Sequence, residues 1–80
     1  MNFGKAIEAL KEGKKVAREG WNGRGMYLKL IKGEQLENCF DPDSAPCVDS
    51  ICMKTAQDTV VVGWLASQTD MLSEDWVIVE

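Results

Sequence analysis

Two short segments hold most of the residues able to do chemistry: Gly20-Trp21-Asn22-Gly23-Arg24-Gly25 and Trp64-Leu65-Ala66-Ser67-Gln68-Thr69-Asp70. A tryptophan ring offers wide contact area at small entropic cost, and glycine backbone with short polar side chains can read the edges of a flat polar ligand stacked on it. The chemistry this points to is binding rather than turnover. Trp21 and Trp64 would be the platforms, Asn22, Ser67 and Asp70 are the short polar side chains beside them, and Arg24 would give phosphate a bidentate contact. Plainer readings stand beside these. The tryptophans can fill a core, Arg24 can be a solvated residue on a hairpin turn, and Ser67-x-x-Asp70 has the spacing of a capping box that opens a helix.

Several chemistries are disfavoured by what the chain lacks. It has no histidine, which removes the commonest general base near neutral pH and any serine–histidine or cysteine–histidine pair. Three cysteines, Cys39, Cys47 and Cys52, form no Cys-x-x-Cys and find no histidine to complete a structural metal set, so neither metal nor cofactor is expected. The carboxylate pairs Asp41/Asp43 and Glu74/Asp75 read as solvated surface. Gly20, Gly23 and Gly25 lie between two expected strands and lead into no Gly-Lys-Ser or Gly-Lys-Thr, so the loop is not a nucleotide-binding P-loop. The net charge of −4 argues against a partner held through its polymeric phosphate backbone, DNA or RNA. The apolar runs are too short to span a bilayer and the N-terminus lacks the apolar stretch of a signal peptide, so a cytoplasmic protein is expected.

The elements that must position these residues follow from local pattern. Asn2 can cap a helix with Phe3, Ala6, Ile7 and Leu10 at helical spacing and Gly13 at its end. Val16 to Arg18 and Met26 to Ile31 read as strands flanking an Asn22-Gly23 turn. Residues 32–50, rich in glycine, proline, aspartate and serine, read as an irregular loop. Ile51 to Thr55 and Thr59 to Trp64 form a second hairpin, Ser67 opens a short helix, and Trp76 to Val79 closes the chain as a strand. The expectation is one α+β domain over residues 1–80, an antiparallel sheet of about five strands with an N-terminal helix and a second short helix. Eighty residues bury little core, so self-association is expected.

On these residues the chain resembles a known family. Met1-Asn2-Phe3-Gly4, the helix from Ala6 to Lys14, Val16-Ala17-Arg18, Gly20-Trp21-Asn22-Gly23 and Gly25-Met26-Tyr27-Leu28 are similar to a small phage and prophage family that includes the second type of Thoeris anti-defense protein. Met53-Lys54-Thr55-Ala56, the segment Trp64 to Leu72 and Glu74-Asp75-Trp76 agree with it. The resemblance spans nearly the whole chain, outside the loop from about Gly33 to Ser50. It implies a protein without catalytic activity, a sponge that sequesters a cyclic nucleotide immune signal. It further implies a homotetramer with pockets at protomer interfaces, glycocyclic ADP-ribose as ligand, and cyclic oligonucleotides as additional ligands for some members. Trp21 matches the tryptophan expected to stack on adenine, and Trp64, Ser67 and Asp70 fall in the second matching motif. Two readings of other classes compete: a phage structural or host-protein interaction module, and a small hydrolase that degrades the signal.

Overall fold

Asn2 starts the first helix by accepting the Lys5 amide on its side-chain oxygen at 2.9 Å. The helix, α1 (Phe3–Lys11), closes through Gly13 N to Leu10 O and Lys14 N to Ala9 O, both 3.0 Å, the paired bonds of a Schellman end. The computed structural model describes residues 1–21, 24–36 and 45–80. Five strands follow in chain order: β1 (Lys15–Arg18), β2 (Tyr27–Ile31), β3 (Ser50–Lys54), β4 (Val60–Val62) and β5 (Trp76–Val79), with α2 (Gly33–Leu36) after β2 and α3 (Gln68–Leu72) before β5.

All pairings are antiparallel, and the strand order is β4-β3-β2-β1-β5. Consecutive hairpins build four strands outward from β1; the chain then returns across α3 so that β5 pairs with β1 on its other side, Val16 opposite Ile78 and Arg18 opposite Trp76. α1 lays Ala6, Ala9 and Leu10 on one sheet face against Val16, Leu28 and Trp76, and these six residues form the core. At about 25 cal/mol per Å² of apolar surface, this small cluster gives each member weight. The N-terminal ammonium donates to the Trp76 carbonyl at 2.8 Å, and the Trp76 amide returns a bond to the Met1 carbonyl at 3.2 Å, which ties the start of α1 to β5.

The expected α+β architecture is therefore present, with one difference. The stretch after β2, expected as irregular loop, begins with the four-residue helix α2. Asp49, 16 residues on, accepts the Gly33 amide at 2.8 Å, and Leu36 is buried. The turn is held by this distant carboxylate and by burial of Leu36, neither of which local composition displays. The Asn22-Gly23 turn, Cys39, Asp41 and Asp43 lie outside the described residues.

Candidate functional site

Four rings meet between α1 and the start of β5. Trp76 is fully buried at their centre, with Phe3, Trp21 and Trp64 packed around it at centroid separations of 5.4, 5.5 and 6.1 Å. Trp21 and Trp64 lie 6.4 Å apart with their planes at 63°, and both are partly exposed. The two rings singled out in the sequence thus share one surface, floored by a third that gives them a fixed base. The Trp76 Nε1 donates to the Asp70 carbonyl at 3.0 Å, so the buried indole leaves no polar atom unsatisfied.

A side chain that the sequence did not single out holds the surroundings of these rings together. Arg18, on β1, donates from Nε to Asp75 Oδ1 and from Nη1 to Asp70 Oδ1, both at 2.9 Å. The second oxygen of Asp75 accepts the Gly20 amide at 2.9 Å, one residue before Trp21. A Cβ on Gly20 would stand 3.0 Å from that carboxylate, so a larger residue there would push Asp75 by a few tenths of an ångström. The second oxygen of Asp70 accepts both the Ser67 amide at 3.0 Å and the Ser67 hydroxyl at 2.8 Å, while Ser67 Oγ accepts the Asp70 amide at 3.0 Å. This is the full capping box of α3, and through Arg18 it is joined to the segment that carries Trp21.

The charges are matched accordingly. Burial opposes the ionised form of Asp70, but bonds from Ser67 and Arg18 outweigh it and hold the carboxyl below the usual carboxylate range. Asp75 is held low chiefly by the Arg18 hydrogen bond, and Arg18 is held above its ordinary value by Asp75 and then Asp70. Arg18 and Asp70 expose only 16% and 13% of their side chains, so this pair is shielded where a surface pair is not. A fixed ion-paired frame can orient rings and present backbone edges; its groups are engaged with one another rather than free to move protons.

Trp64 enters from the other side. At the end of β4, Gly63 adopts φ of 84°, a left-handed conformation that favours glycine, and the amides of Gly63 and Trp64 both donate to Ile51 O, at 3.2 and 2.8 Å. The backbone that carries the indole is thereby fixed to β3. Of the other expected site residues, Arg24 is exposed on the connection between β1 and β2, and Asn22 lies outside the described residues. Glu74 is exposed, and Cys47 and Cys52 are free thiols. A hollow of about 350 Å³ opens beside the later turns of α1, floored by Ile7, Leu10, Leu30 and Ile51 with Lys11, Lys32 and Asp49 around it; it contains no aromatic side chain on which a base could stack.

The frame and the rings fall within the reach of a known domain. Residues 1–79 match the Thoeris anti-defense 2-like domain. The chain is also similar to the protein named Thoeris anti-defense 2 of Bacillus phage SP01, 39% identical over 84 residues that cover 99% of this chain and 94% of that protein. Tryptophan rings, clamp and capping box all lie inside the matched region, and the chain belongs to the Thoeris anti-defense 2-like family.

Proposed function

We propose that this protein is a phage or prophage anti-defense protein that captures a cyclic nucleotide immune signal, glycocyclic ADP-ribose, in the host cytoplasm and holds it without cleaving it, so inhibiting Thoeris-type immunity. The observation that carries the reading is the pair of partly exposed rings, Trp21 and Trp64, seated on buried Trp76 beside the Arg18 clamp. Family membership supplies the anti-defense context. In this reading Trp21 stacks on adenine, Arg24 and backbone amides of its loop meet the diphosphate, and Asn22 and Ser67 face ribose hydroxyls. Asp70 has one acceptor position to spare on Oδ1, since its other bonds go to Arg18 and Ser67, and a ribose hydroxyl is a fitting donor to it. Cyclic oligonucleotides offer the same base faces and phosphates and are additional ligands.

Capture is proposed to occur in a homotetramer. Stacking contributes about 1 to 3 kcal/mol per base, so tight retention needs contacts from a second protomer. Exposed apolar side chains support assembly: Val60, Val61 and Val62 form an edge strand exposed by 63, 48 and 51%, and Leu65 is 89% exposed. The test is to incubate the protein with a panel of cyclic nucleotides, separate bound from free, denature the complex by heat and analyse what is released. A sponge returns the added molecule intact; a cleaved product identifies a hydrolase, and no retention of any nucleotide overturns the proposal.

A further inference from the structure

Strand alternation divides the sheet into two faces of different chemistry. α1 and the aromatic cluster lie on the face of Val16, Leu28 and Trp76. The opposite face carries Lys15 of β1, Tyr27 and Lys29 of β2 and Lys54 of β3. The Val16–Leu28 pairing, continued one step, sets Lys15 directly across from Lys29, and Tyr27 lies directly across from Lys54. Both Lys15 Nζ and Lys54 Nζ stand over the Tyr27 ring, at 4.7 and 5.8 Å from its centre.

The ring attracts the two ammonium groups above it, but the opposition of Lys15 and Lys29 works against the fold. Like charges directly opposed across two strands destabilise a sheet, and here the chain as a whole is acidic, with a net charge of −4. None of the strand residues that share this face is aspartate or glutamate. Asp58, in the turn after β3, reaches Lys54 at 2.7 Å, but its side chain is 83% exposed, where screening leaves such a pair weak. Lys15 and Lys29 are given no such partner among the ion pairs of the described residues. A concentrated cationic patch with an aromatic ring at its centre is complementary to several closely spaced negative charges beside a flat group.

We propose that this face is a second binding site, for an oligophosphate chain, with Lys15, Lys29 and Lys54 as its cationic contacts and Tyr27 as the ring against which a base can lie. It is separate from the tryptophan surface and does not depend on the function proposed for that surface. Inorganic tripolyphosphate supplies the chain alone and ATP supplies the same chain with a base, so the two probes distinguish the sources of the chemistry.

The experiment is calorimetric titration of the full chain with each probe at low and high salt, on the wild type, the Lys15→Gln/Lys29→Gln double variant and Trp21→Ala. Saturable binding by the wild type, weakened by salt, is expected. The double variant should bind about tenfold more weakly or worse, and Trp21→Ala should bind tripolyphosphate, which offers no base to the tryptophan surface, as the wild type does. ATP bound more tightly than tripolyphosphate by Trp21→Ala as well as by the wild type assigns the base to Tyr27, and equal affinities in that variant assign the contacts to the chain alone; both support the site. The double variant should also melt at a higher temperature than the wild type without ligand, because a repulsion is removed; an unchanged or lower melting temperature counts against the patch being under electrostatic strain and overturns the argument. Absence of saturable binding by the wild type at low salt, or undiminished binding by the double variant, overturns the proposal.

Discussion

Arg18 Nη1 and Asp70 Oδ1 lie 2.9 Å apart although 52 residues separate them in the chain. That bond joins the strand leading to Trp21 with the capping box of α3, and the other oxygen of the same carboxylate holds Ser67. Asp70 therefore serves two elements at once, and substitutions at either partner should differ in a readable way.

Ser67→Ala removes the cap alone and should cost about 1 kcal/mol, read as a drop in denaturant midpoint with unchanged slope. Asp70→Ala removes the cap's reciprocal partner and also leaves the Arg18 guanidinium short of an acceptor, so it should destabilise more than Ser67→Ala. Equal losses in the two variants would mean that the Arg18–Asp70 bond adds nothing.

Acid should loosen the same frame. Asp70 and Asp75 are both held below the ordinary carboxylate range in the folded protein, so the unfolded chain takes up protons first as pH falls. Their stabilisation is fully present near neutrality, begins to decline around pH 4, where unfolded aspartate titrates, and is lost as pH falls through the lower folded values. Melting temperature against pH measures this. Asp70→Asn should flatten the decline, and an unchanged profile in that variant would refute the assignment to Asp70.

The tryptophans should separate by role. Trp76→Ala empties the centre of the core and should cost about 3 to 5 kcal/mol, enough to unfold a domain this small. Trp21→Ala should leave a folded protein whose affinity for glycocyclic ADP-ribose falls about 5- to 150-fold, the loss of about 1 to 3 kcal/mol of stacking, measured by intrinsic fluorescence or calorimetry. A misfolded Trp21→Ala variant would make that ring a core filler.

The proposed assembly should depend on β4. Val61→Lys places a charge in the exposed valine edge, and light scattering should report a smaller particle than the tetramer proposed for the wild type. A wild-type monomer at micromolar concentration would contradict the assembly; a tetramer that survives Val61→Lys would move the interface elsewhere.

Features set by neighbours in sequence were readable from the chain. Asn2 and Gly13 bound α1, Ser67 and Asp70 form the capping box, and both hairpins and the last strand lie where alternation puts them. The features that escaped reading depend on residues far apart. Nothing near Arg18 announces that Asp70 and Asp75 converge on it, α2 rests on Asp49, and the placement of Trp76 beneath Trp21 and Trp64 follows only once β5 pairs with β1. Asp70 and Asp75, both shortly before Trp76, were the available sign that a cation from an earlier strand was needed.

The return of β5 to the far side of β1 has a kinetic consequence. The β1–β2 and β3–β4 hairpins can close over short loops, whereas the Arg18 contacts close loops of 52 and 57 residues, and such contacts reward the chain only after a large entropy loss. The frame around the rings should thus be completed late in folding, when the last strand docks. Undocking of that strand would remove the tryptophan floor and the Asp75 contact beside it, so the surface should not outlast the docked strand. A molecule resting across Trp21 and Trp64 would have to be shed before β5 could leave, and its residence time would set a lower bound on the lifetime of the folded chain beneath it.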